Sequence, residues 1–108
     1  MATQAARKHL PLTIGRKEAI KVDARFKNLV MCIDQTWQVI AADAMACCEE
    51  TGEGPLTKGE RLELVLDANY MSTNCGNEGK EAEKFMDELF KTYAYASVVK
   101  MLKAEVYL

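Results

Sequence analysis

Between Arg16 and Glu50 the chain carries neither proline nor glycine, and its apolar side chains return every three or four residues. Ala19, Val22, Phe26, Val30, Ile33, Trp37, Ile40, Ala44 and Cys47 fall in this register, the spacing of one helical face. The pattern predicts a single long helix over residues 16–50. Leu29, Met31, Cys32, Val39, Ala42 and Met45 add apolar surface beside that stripe, so the second half of the helix calls for neighbours on several sides. At 1.5 Å per residue the helix would be roughly 50 Å long. A compact domain of this size has a radius of gyration near ~13 Å, so such a helix would overhang it.

The rest of the chain punctuates into two further helices. Thr51-Gly52-Glu53-Gly54-Pro55 ends the first, because glycine accepts the left-handed closing turn and proline cannot extend the ladder. Thr57 followed by Glu60 is a capping box, which predicts a second helix from Lys58 to Ser72. The turn residues Ser72 to Asn77 separate it from a third helix over Glu78 to Val106, with Asn77 as its cap. Alternating residues in Tyr93 to Val99 admit a strand as a weaker reading. Residues 1–15 read as a flexible basic arm, with Thr13 capping the helix that follows, and residues 16–108 as a single helical domain.

The expected fold is therefore all-α, a three-helix bundle with a long first helix, completed by dimerisation. Phe26, Val30, Ile33, Trp37 and Ile40 are the expected oligomer interface, since a second copy would cover the overhanging apolar surface. An elongated three-helix monomer, with the third helix antiparallel to the first, is the alternative.

Composition narrows the function classes. With 49% hydrophobic and 28% charged residues in 108, the chain can build one core and is not of disordered composition. Asp34 and Asp43 interrupt the most hydrophobic stretch, so no run reaches the ~20 residues of a membrane-spanning helix. The first residues lack the apolar block of a secretory signal, which reads as a cytoplasmic protein. Cys32, Cys47, Cys48 and Cys75 lack disulfide-scaffold spacing and read as reduced thiols.

Charge is distributed unevenly. Residues 1–30 hold seven bases against two acids, a net of +5, whereas residues 31–90 hold thirteen acids against four bases, a net of −9. Arg7, Lys8, Arg16, Lys17, Lys21 and Arg25 are the candidate partner-binding residues, suited to phosphates or to an acidic protein surface. The slightly negative total charge favours a protein partner over nucleic acid.

Catalytic constellations are sparse. Glu60, Glu63 and Asp67 share one side of the second helix, and Glu83 and Asp87 are four apart on the third. All-α nucleotide pyrophosphohydrolases bind magnesium through carboxylates from two helices, in an EExxE element followed by ExxD. Glu49-Glu50-Thr51-Gly52-Glu53 resembles the first element, but Gly52 falls where the helix must continue, and Glu63 to Asp67 is spaced by four. His9 stands alone, and no paired Cys or His spacing suits zinc or a cysteine nucleophile. The glycines around Lys58 do not follow the order of a phosphate-cradling loop. The expectation is a small non-catalytic helical binding protein without a cofactor, an adaptor, inhibitor or regulator of a partner macromolecule, with a nucleic-acid-associated regulator using the basic N-terminal region as the first alternative and a magnesium-dependent all-α nucleotide pyrophosphohydrolase as the second.

Overall fold

A computed structural model describes residues 10–51, 57–66 and 70–106, with side chains described through residue 41 of the first stretch. The chain is all-helical: α1 (Ile14–Lys21), α2 (Ala24–Thr51), α3 (Lys58–Leu66), α4 (Tyr70–Thr92) and α5 (Tyr95–Glu105). Among the described residues the only extended pairing is a lone parallel bridge between Leu10 and Tyr93.

The long first helix is broken, which corrects the expected 16–50 span. Val22 closes α1, and the Asp23 carboxylate accepts a hydrogen bond from the Arg25 amide at 2.8 Å. The Asp23 carbonyl accepts from the Phe26 amide at 3.0 Å, so α2 starts afresh one residue later. The physical cause is a short carboxylate that competes with the helix for backbone donors. The apolar stripe does not cross this break. Val22, placed on the stripe by spacing, is 83% exposed, and Leu29, placed beside it, is completely buried.

Two other expected boundaries move. The second helix is described from Lys58 to Leu66, residues 67–69 lie outside the described residues, and Ser72 is helical, within α4. The turn expected at residues 72–77 contracts to one residue, Gly76, whose φ of 61° and ψ of −134° kink α4 without ending it. A side chain at that φ would be strained, so glycine makes the kink cheap. The Ser72 amide donates to the Glu83 carboxylate from beyond the kink at 2.9 Å. Gly79 is the other position where glycine is required, because a Cβ there would run into the Met71 carbonyl.

The third helix, expected to run to Val106, stops at Thr92. Ala94 is extended with ψ of 134°, and the Leu10 amide donates to the Thr92 carbonyl at 2.7 Å. Phe90 and Tyr95 stack across the corner with centroids 4.9 Å apart. Two sequence readings of the caps hold: Thr13 accepts from the Arg16 amide, and in the capping box the Thr57 amide donates to Glu60 while the Glu60 amide donates to Thr57, whereas Asn77, expected to cap the third helix, lies within α4. The Thr57 amide, followed by its hydroxyl, holds the Glu60 carboxyl below its ordinary range. The stop at Gly52 to Pro55, together with Asp67 and Ala68, lies outside the described residues.

Packing is dominated by α2 lying along α4. Phe26, Leu29, Cys32 and Ile33 meet Ala82, Phe85, Met86 and Leu89 in a core closed by Leu62 and Val65 of α3 and by Val98, Met101 and Leu102 of α5. The radius of gyration is 15.1 Å and the longest axis 47 Å. That exceeds the ~13 Å of a compact domain of this size, because α2 is longer than the bundle around it is wide.

Candidate functional site

Thr13 starts α1 and directs its bases along a short surface helix, while the Asp23 turn sets where that helix meets α4. The junction holds an open cavity of about 230 Å³. Arg16, Ala19 and Ile20 line it from α1, Asp23 and Arg25 from the turn, and Phe85, Glu88, Leu89, Thr92 and Tyr93 from the α4 side.

The basic residues expected to act together are divided by this geometry. Lys21 is bound at 2.8 Å to Glu105 at the end of α5, and the Glu105 hydrogen bond raises its pKa. Arg25 donates to Asp23 at 2.9 Å and to Glu88 at 3.0 Å, with its guanidinium 4.5 Å over the Phe85 ring. The side-chain hydrogen bond from Arg25, followed by that from its amide, lowers the Asp23 pKa, and the pairing keeps Arg25 charged. Arg16 and Lys17 form no ion pair among the described residues. Arg7 and Lys8 lie outside them.

The residues expected at the oligomer interface divide as well. Phe26 and Ile33 are buried among the chain's own helices. Val30, Trp37 and Ile40 are half-buried at the edge of the core, and the Arg61 guanidinium stands 5.5 Å from the Trp37 ring centre. Met31 and Val39 are exposed on α2, Val39 by 59%.

The acidic positions are distributed among separate uses. Glu60 caps α3, Glu83 accepts from the Ser72 amide across the kink of α4, and Glu88 holds Arg25. Glu63 and Asp87 are exposed, while Glu53, Asp67 and the side chains of Glu49 and Glu50 lie outside what is described. Among the described residues no three His, Cys, Asp or Glu side chains are grouped to hold a metal ion, and no helix is long and apolar enough to cross a membrane.

No known protein family, curated protein or solved structure matches the chain. The site therefore rests on its own geometry. Sequence reading missed the acidic partners of Lys21 and Arg25, since Glu105 and Glu88 are remote along the chain. It also missed that Cys32 and Cys75 meet. The Cys75 thiol is 3.7 Å from the Cys32 carbonyl and 3.5 Å from Gln35 Oε1, across 43 and 40 residues of sequence. The i, i+3, i+4 relation of Cys32, Gln35 and Thr36 was visible; what would face it was not.

Proposed function

We propose that the chain is a small non-catalytic binding protein, an adaptor, inhibitor or regulator that meets its partner macromolecule at the cavity bordered by α1, the Asp23 turn and the end of α4. The observation that carries this reading is the state of the cations around the cavity. Arg25 and Lys21 are engaged with the chain's own acids, whereas Arg16 at the cavity wall and Lys17 beside it have no ion pair among the described residues. Ile14, 79% exposed, adds an apolar side chain to the same helix. A mixed surface of this kind suits an acidic protein surface with an apolar element. Engagement of two of the expected phosphate contacts counts against a nucleic-acid partner.

The test is retention of a partner from lysate by the tagged chain, with and without nuclease, compared with an Arg16→Glu, Lys17→Glu variant of unchanged helix content. Retention that survives nuclease and is lost in the variant supports the reading. Nuclease-sensitive retention replaces it with nucleic-acid binding. Magnesium-dependent turnover of nucleoside triphosphates, abolished by Glu63→Gln and by Asp87→Asn, replaces it with a hydrolase.

The proposal includes self-association through α2. Its support is the half-buried Trp37 and Ile40 and the exposed Val39 on the longest helix. Light scattering should give a mass above the 12.1 kDa of one chain, and a Trp37→Asp variant should return it to that value. A wild-type mass of one chain at micromolar concentration removes this part of the proposal.

A further inference from the structure

We propose that Cys32 and Cys75 close to a disulfide when the protein meets hydrogen peroxide, stapling the start of α4 to the middle of α2. The geometry begins with Cys75, whose sulfur sits over a single turn of α2. It is 3.7 Å from the Cys32 carbonyl oxygen, 3.5 Å from Gln35 Oε1 and 3.8 Å from Thr36 Oγ1. The Cys32 thiol lies 3.8 Å from Asn28 Oδ1 one turn back. Closure calls for a rotation about χ1 of Cys32 between staggered wells, from Asn28 toward Cys75.

The backbone beside Cys75 is suited to the adjustment. Gly76 follows it directly at φ 61°, the one non-helical residue within α4. Residues 70–75 are held against the rest of α4 by the Ser72 to Glu83 bond and by the Met71 carbonyl on Gly79, so the adjustment is confined to Cys75 and Gly76 themselves. A disulfide demands a specific sulfur separation and dihedral, and a hinge at the next residue supplies the freedom to reach them.

The two cysteines have different parts in the reaction. Cys75 is half-buried, whereas Cys32 is 1% exposed and burial, followed by its Cys75 neighbour, pushes its thiol up to about 12. Cys75 is therefore the sulfur that meets the oxidant. Its thiolate attacks a peroxide oxygen; the S–O bond forms, the O–O bond breaks, and the released hydroxide takes a proton to become water. The Cys32 sulfur then attacks the Cys75 sulfenic acid, losing its proton as the S–S bond forms and the S–O bond breaks, and a second water departs. Two thiols are oxidised and one peroxide is reduced.

The experiment is a non-reducing peptide map of the full chain after treatment with hydrogen peroxide. The expected result is a Cys32 peptide joined to a Cys75 peptide, two hydrogens lighter than their sum and separated again by dithiothreitol. The linkage should vanish in Cys75→Ser and persist when Cys47 and Cys48 are both changed to serine. A higher midpoint of thermal unfolding should accompany it, because the closed loop restricts the unfolded chain. Oxidation of Cys75 to sulfinic acid with Cys32 left free would overturn the proposal, as would pairing of either cysteine with Cys47 or Cys48. The wild-type map decides even if a serine variant fails to fold.

Discussion

The α2–α4 seam and the α1 corner are held by different physics. Along the seam, Leu29, Ile33, Phe85 and Leu89 are withdrawn from water, and stability scales with the apolar surface they bury. At the corner, α1 buries Ile20 and is tied down by the Lys21–Glu105 pair, the Arg25 links and the Leu10 to Thr92 backbone bond. Exposed ion pairs are screened by water and add little individually, so the corner should open more easily than the seam. A contact surface gains from that arrangement, since its side chains can rearrange without disturbing the core.

The largest effects should therefore come from the seam. Leu29→Ala, at a completely buried position, should cost about 3 kcal/mol, read as a lower midpoint in denaturant with an unchanged slope. Lys21→Ala should shift that midpoint far less. If the two variants are equally destabilised, the contrast between seam and corner is wrong.

Gly79→Ala sharpens the same contrast within α4. Its added methyl would meet the Met71 carbonyl, backbone rather than a flexible side-chain end. The expected cost is about 2 kcal/mol, from separation of the two limbs of the kinked helix. Gly15→Ala, with nothing near its added methyl, should be neutral or slightly stabilising.

These variants also mark how far the sequence could be read. Helical character, the Thr57–Glu60 box and the Thr13 cap rest on local chemistry, and each is legible from neighbouring residues. The break at Asp23 is local too, but the 3.6-residue apolar register runs straight through it and outweighs one aspartate in any pattern-based reading. The kink at Gly76 is accompanied by the Ser72 amide to Glu83 bond and by the Met71 carbonyl against Gly79, contacts that exist only once the two limbs of α4 lie together. For the candidate site, spacing placed the bases on one helix face, but their pairing with Glu88 and Glu105 is tertiary and left no local signal. The Cys32–Cys75 contact was hidden for the same reason.

A smaller effect is expected at the second capping site. Thr57→Ala removes the hydroxyl that accepts from the Glu60 amide at 3.2 Å, a loss of about 1 kcal/mol by the usual worth of such caps. Amide exchange should quicken first in α3 and leave the seam near its wild-type protection. Uniformly faster exchange would mean that α3 and the seam open together, which narrows the distinction between regions.

The smallest expected effect, and the most local, is the acid response of the corner. Hydrogen bonds from the Arg25 side chain and amide lower the pKa of Asp23 from its ordinary 3.8. A carboxylate with a depressed folded value contributes stability that is complete above the unfolded value and lost as pH falls through the folded one. The contribution at Asp23 is therefore intact at neutral pH and disappears below pH 3.8, as protonation removes the negative charge that pairs with the Arg25 guanidinium and weakens the acceptor of its amide. Its size is small because the pair faces solvent. Titration of the Arg25 amide resonance should show a midpoint below 3.8, with the α1 amides following it and the Leu29 and Ile33 amides moving little. Asp23→Asn should abolish that transition while preserving the turn, since an asparagine oxygen can still accept from the Arg25 amide. A midpoint at or above the ordinary value would show that Arg25 does not hold Asp23 in solution. Arg25 would then be available to a partner, and the division of the basic residues behind the proposed contact surface would have to be redrawn.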